Sequence, residues 1–180
     1  MTIEQQDMSL NENDLTNIDL ASAADADADT IEDMKQFVSF TIGEEEYGVD
    51  IIYIREIKGW VPVTPLPNSP EYVLGVLNLR GVIVPIFDMR CRFGLGKTET
   101  SPLHVMIIVA VEGRILGILV DAVSDILTVG ASQVLDVPDL DKRGDRKFLC
   151  GLITHGENMV ALLSLEELFD LETIIEQLTN

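Results

Sequence analysis

The sequence predicts a mainly β protein made of two similar five-stranded units in tandem, with short helices and a C-terminal helix. Two observations predict it. From Met34 the chain breaks into short runs rich in Val, Ile and Phe, separated by Gly-containing turns. The second half of that body then replays the first. Short strands at this spacing close best as small barrels, which also remove exposed sheet edges.

The elements follow in order. Residues 37–42 read as a strand, Gly43-Glu44-Glu45 as a turn, and residues 47–49 as the return strand of a hairpin. Asp50 is placed to N-cap a short helix through Ile57, with Ile51, Ile54 and Ile57 on one face, and Gly59 ends it. Residues 60–70 hold four prolines, Pro62, Pro65, Pro67 and Pro70. Proline cannot donate to a sheet ladder, so this stretch is an extended edge or loop. Residues 74–79 and 82–87 flank Arg80-Gly81, a tight hairpin turn. Residues 90–102 are polar and contain glycine, and read as a connection.

The replay begins with residues 105–111 and 115–120, a hairpin turning on Glu112-Gly113-Arg114. Aligning residues 47–57 with 116–126 sets Gly48 on Gly117, Ile54 on Val123, Glu56 on Asp125 and Ile57 on Ile126. Residues 75–87 likewise resemble 151–163: a glycine, a strand, a turn at Gly81 or Gly156, and a strand. The repeat therefore places one barrel at about residues 35–102 and the other at about 103–171. Residues 130–147 form a polar loop rich in Asp. Ser164-Leu165-Glu166-Glu167 is a capping box that opens the terminal helix. Leu168, Leu171, Ile175 and Leu178 follow at helical spacing, with 175–180 as the helix end.

Charge narrows the function. The chain carries 12 Lys+Arg against 31 Asp+Glu, a net charge of −19. Such a chain repels phosphate backbones, which argues against nucleic-acid binding and against docking on anionic lipid. Residues 1–33 hold ten acidic residues and no Lys, Arg, Gly, Pro or aromatic, and read as a disordered acidic tail. Asp25, Asp27 and Asp29 mimic the start of a calcium loop, but Thr30 and Gln36 stand where that loop needs Gly and Glu. The longest apolar run, residues 105–111, is far short of a membrane span, and no secretory signal precedes the body. Two cysteines without paired spacing, Cys91 and Cys150, suit a reducing cytoplasm.

No catalytic constellation emerges. His104 and His155 lack partners at metal-ligand spacing, so neither a metal nor a cofactor is expected. Cys91 lies between Arg90 and Arg92, a setting that can lower a thiol pKa, but no base stands beside it in sequence. Residues 93–98 superficially resemble the end of a phosphate-binding loop. That pattern needs glycine at position 91, and Ser101-Pro102 interrupts the helix it requires. A binding module fits better than an enzyme.

Three stretches carry a family resemblance: Glu46-Tyr47-Gly48-Val49-Asp50-Ile51 followed by Arg55-Glu56-Ile57, then residues 75–89 around Asn78-Leu79-Arg80-Gly81-Val82-Ile83-Val84-Pro85, then residues 117–125. They resemble the chemotaxis coupling proteins of the CheW family, from about Lys35 to about Leu171, so that 34–174 is the expected CheW-like domain. The resemblance implies two five-stranded SH3-like β-barrels. It implies a non-enzymatic, cytoplasmic adaptor, recruited to membrane receptor arrays through its partners. Those partners would be the signalling tip of methyl-accepting chemoreceptors and the regulatory domain of the histidine kinase CheA.

In that family the receptor tip docks between the barrels. The positions matching Ile54, Glu56, Gly75 and Arg80 are linked to that contact, which makes these four the receptor-binding candidates. Each has a plain structural alternative. Ile54 reads equally as core, Glu56 as a surface charge pairing with Lys58 or Lys35, Gly75 as a backbone requirement, and Arg80 as a solvated turn residue. The kinase-binding residues are unknown from sequence. Val49, Val82, Ile83, Leu127 and Val129 are the aliphatic candidates, with Trp60 and Tyr72 as aromatic ones. Two rival readings are the adaptor domain of a related coupling protein lacking its receiver, and a small-ligand-binding β-barrel.

Overall fold

In the computed structural model the described residues are 33–138 and 148–169. The expected acidic tail up to residue 32, part of the polar loop, and Leu171, Ile175 and Leu178 of the terminal helix lie outside them.

Strand β1 (Met34–Ile42) turns at Gly43-Glu44 into β2 (Glu45–Asp50), and Ile42 faces Glu45 across the hairpin. A single 3-10 turn, Ile51–Tyr53, leads into β3 (Ile54–Gly59). After the proline-rich stretch, β4 (Val73–Leu79) and β5 (Val82–Asp88) pair antiparallel. At their tip Arg80 has φ 52° and Gly81 φ 88°, two left-handed residues in a row. That turn matches the right-handed twist of the flanking strands. One helical turn, α1 (Met89–Arg92), follows, capped by the Asp88 carboxylate. Then come the β6 (Val105–Val111) and β7 (Arg114–Val120) hairpin, β8 (Ala122–Gly130), the β9 (Leu149–His155) and β10 (Asn158–Leu163) hairpin, and α2 (Leu165–Leu168). Ser164 caps α2 by accepting from the Glu167 amide at 3.4 Å, as the capping-box pattern predicts.

The strands form two five-stranded sheets, β8-β1-β2-β10-β9 and β3-β6-β7-β5-β4. Each is closed by a short bridge. Thr64 and Val76 exchange backbone bonds at 2.9 and 2.8 Å between the proline-rich stretch and β4. Leu135 and Leu152 do the same at 2.8 and 2.9 Å between the segment after β8 and β9. The mainly β, two-barrel architecture is therefore the one expected.

The expected division near residue 102 is not. The first barrel takes β1 and β2 from one repeat and β8, β9 and β10 from the other, while residues 54–120 supply the whole of the second. The repeats are real, but they have exchanged their first hairpins. β3 pairs with β6, Ile54 opposite Val109, and its counterpart β8 pairs with β1, Gly130 opposite Met34. The aligned glycines mark equivalent places. Gly48 on β2 faces Leu162 of the parallel strand β10, and Gly117 on β7 faces Ile86 of the parallel strand β5. The exchange follows from the two crossovers, residues 51–53 and Asp121, which turn the chain away before it can fold back on its own hairpin.

A second correction concerns the helix expected from Asp50 through Ile57. Asp50 does cap, its Oδ1 accepting from the Ile52 amide at 3.1 Å, but only the 3-10 turn forms. Ile54–Gly59 is a strand. Ile54 and Ile57 are β-branched, and β6 offers residues 54–59 a ladder, so pairing overrides the helical spacing.

Among the described residues three apolar clusters hold the fold. Phe37, Leu127, Val129, Ile153, Val160 and Leu162 belong to the first barrel. Val84, Ile86, Met106, Ile108 and Leu119 belong to the second, with Trp60 packed on them. The largest cluster joins the two, from Phe40 and Val49 on one side to Phe87, Ile107 and Ile118 on the other, with Phe148 and Phe169.

The residue 51–53 crossover is fastened to α2, where the Tyr53 hydroxyl donates to Glu166 Oε1 at 2.5 Å. That bond pushes the Tyr53 pKa up to about 12 from 10.0 and holds Glu166 below the usual carboxylate range. A raised folded-state pKa stabilises fully below the unfolded value, and the contribution is lost as pH rises through the folded one. Wild type is thus expected to lose melting temperature between pH 10 and about 12 in part through Tyr53. Tyr53→Phe should decline less over that interval, and an equal decline in both proteins would show that the bond contributes nothing.

Candidate interaction surface

Of the four receptor candidates, two are brought together directly. Arg80 stands on the β4–β5 turn and reaches across to β3, where its guanidinium lies 3.3 Å from Glu56 Oε2. The Arg80 side chain is 81% exposed and that of Glu56 28%. An ion pair this wet contributes about 0–1 kcal/mol to folding, so stability alone gives little reason for it. Glu56 pairs here with Arg80, in place of the Lys58 or Lys35 expected as alternatives.

Ile54 begins β3 and packs, half-buried, against the cluster that joins the barrels. A β-bulge at Arg55 separates it from Glu56 in the ladder with β6. Gly75 has a backbone reason of its own. Its φ is +147°, and a Cβ there would stand 2.2 Å from the Thr64 carbonyl oxygen. That carbonyl belongs to the bridge closing the second barrel. Gly75 is therefore required where the closing segment crosses β4.

The aliphatic candidates separate cleanly. Val49, Leu127 and Val129 are buried core residues. Val82 and Ile83, which follow Arg80 at the start of β5, are 47% and 59% exposed. Trp60 packs on the core of the second barrel, and Tyr72 stacks on Phe87 with the Arg92 guanidinium 5.2 Å from its ring centre. Burial was the missing signal, because strand alternation alone does not say which face of a closed barrel looks inward.

The chemistry elsewhere is structural. Burial pushes the Cys91 thiol up, helped by nearby Asp88, contrary to the lowering that its flanking arginines suggested. Those arginines point away, Arg90 to Asp121 and Arg92 to the Leu168 carbonyl. The Cys150 thiol is pushed up by burial as well. The buried Asp88 carboxylate is spent on the Cys91 amide at 3.3 Å and on the Thr98 amide and hydroxyl at 2.7 and 2.6 Å. Among the described residues no three His, Cys, Asp or Glu could hold a metal, and no helix is long and apolar enough to cross a membrane. A cleft of about 670 Å³ opens near Tyr47, Phe93 and Met159, but none of the four receptor candidates lines it. The candidate site is a surface, with the Glu56–Arg80 pair at the β4–β5 turn and exposed Val82 and Ile83 following that turn in sequence.

Comparison with known proteins bears on the fold and the family. The family model described as CheW-like domain matches residues 36–173. The chemotaxis protein CheW of Rhizobium meliloti (strain 1021) is 41% identical over 138 residues, spanning 77% of this chain and 89% of the relative. The chemotaxis protein CheW of Klebsiella aerogenes is 40% identical over 138 residues, spanning 77% and 83%. The crystal structure of the scaffolding protein TtCheW from Thermoanaerobacter tengcongensis is similar at a TM-score of 0.70 and 34% identity, covering 76% of this chain and 93% of that one. With its two SH3-like barrels and a family match across nearly all of its body, this chain belongs to the CheW-like family, together with these chemotaxis proteins.

Proposed function

We propose that the two-barrel body joins the cytoplasmic tips of chemoreceptors to the regulatory domain of the histidine kinase CheA, as an adaptor with no turnover of its own. The observation that carries this reading is the match to the CheW-like domain over residues 36–173. On it the receptor tip meets the Glu56–Arg80 pair and the neighbouring groove. The kinase domain takes the exposed start of β5, where the apolar side chains of Val82 and Ile83 lie open to solvent. The protein is cytoplasmic and reaches membrane arrays only through these partners. The small-ligand reading has less behind it, because side chains fill both barrel interiors.

A pull-down with a receptor signalling tip and the kinase regulatory domain, offered separately and together, tests the proposal. The full chain is expected to capture each alone and both at once. A double Val82→Glu, Ile83→Glu variant should keep the receptor tip and lose the kinase domain. Capture of neither partner by the folded full chain would refute the adaptor reading.

A further inference from the structure

We infer that Asp121 is a positioning residue that locks the two barrels against each other and so sets the shape of the groove between them. The chain passes from the second barrel to the first through this one residue, between Val120 at the end of β7 and Ala122 at the start of β8. Its backbone and carboxylate together reach both sides. On the side of the first barrel, its amide donates to the Thr41 carbonyl at 3.0 Å, and its Oδ2 accepts from the Gly43 amide at 2.7 Å. On the side of the second barrel, Oδ2 accepts from Arg90 in α1 at 3.3 Å, and Oδ1 lies 3.6 Å from His104 Nε2, just before β6.

Every group converging on the carboxylate is a donor. The Gly43 and Arg90 groups can only donate. The histidine presents a donor as well: its Nδ1 accepts from the Ser101 amide at 3.1 Å, which leaves the ring hydrogen on Nε2, the nitrogen 3.6 Å from Asp121 Oδ1. Only a group that accepts at both ends satisfies this arrangement. An asparagine of the same shape would turn an NH2 toward one of the three donors and would lose the charge that holds Arg90. The other crossover, residues 51–53, is fastened differently, through Tyr53 to Glu166 on α2. Asp121 is thus the point where an acidic group ties the β1–β2 turn to α1 and to the start of β6.

The link to receptor binding rests on the proposed adaptor function, in which the receptor tip enters the groove between the barrels. The lock itself does not rest on it. If the barrels spend only a tenth of their time in the binding-competent arrangement, the apparent affinity falls about tenfold.

The test uses the full chain with Cys91 and Cys150 replaced by Ser and spin labels at position 112 in the β6–β7 turn and position 157 in the β9–β10 turn, both exposed sites. Wild type should give one narrow distance distribution by double electron–electron resonance. Asp121→Asn should broaden it while the melting transition stays cooperative, and should weaken receptor-tip binding about tenfold with kinase-domain binding unchanged. Arg90→Gln, which leaves the carboxylate with Gly43 and His104, should broaden it less and serves if Asp121→Asn does not fold. A wild-type distribution in both variants overturns the inference. A broadened distribution with unchanged receptor affinity supports the lock and overturns the placement of the receptor in the groove.

Discussion

Expressed separately, residues 1–102 and 103–180 are each expected to stay unfolded, and mixing them is expected to restore a cooperative melt. The cut falls in the connection between α1 and β6, at the boundary the internal repeat suggests. Yet each piece would carry strands of both barrels, with β1 and β2 missing β8 and β10, and β3 to β5 missing β6 and β7. The cost is more than lost ladders. The largest apolar cluster draws on both pieces, with Phe40, Val49 and Phe87 from the first and Ile107, Ile118 and Phe148 from the second. Burial of a single such side chain is worth about 1.5–3 kcal/mol, against a whole-domain stability of about 5–15 kcal/mol. Neither piece can lose several of them and stay folded. Circular dichroism and thermal melts of each piece and of the mixture decide the matter. A cooperative melt from residues 1–102 alone would show that the hairpin exchange is not needed for folding.

Gly75→Ala and Arg80→Ala are expected to fail in opposite ways. At Gly75 the new methyl would overlap a backbone carbonyl that cannot swing aside, at a φ that L residues avoid. Strained backbone of this kind costs on the order of 1–3 kcal/mol before any overlap is counted, so the variant should melt well below wild type and bind both partners poorly. Arg80 is a solvated turn-tip side chain, and its removal should leave the melting temperature nearly unchanged. At a partly desolvated interface the same truncation costs about 2–5 kcal/mol, or about thirtyfold and upward in receptor affinity. On the proposed receptor contact, part of that cost would be Glu56, left without its Arg80 partner as an uncompensated carboxylate. Arg80→Lys should recover only some of the affinity, since a point ammonium cannot reproduce the planar fork. Binding of receptor tip and kinase domain, measured beside thermal melts, separates the cases. Unchanged receptor affinity in Arg80→Ala would make Arg80 an ordinary turn residue, and parallel loss of both affinities with stability would make it structural.

The hairpins were legible from local chemistry. Gly43, Arg80-Gly81, Glu112-Gly113 and Gly156 mark turns because their backbone conformations are demanding, and Asp50 and Ser164 cap because their side chains reach nearby amides. The candidate site was legible only through resemblance. Nothing in the spacing of Glu56 and Arg80 says that a strand and a turn so far apart in sequence will meet.

By itself, then, the sequence determined the strands of the hairpins, their turns, the repeat and the β class, most of which rest on interactions a few residues long. Tertiary structure decided which hairpin joins which barrel, whether residues 54–59 are helix or strand, and why position 75 must be glycine. The physical reason is a near-degeneracy. Two similar repeats offer similar edges, so local pattern cannot choose between pairing within a repeat and pairing across. The choice is made by the short crossovers at residues 51–53 and Asp121, together with the apolar cluster that forms only when the two barrels share their hairpins.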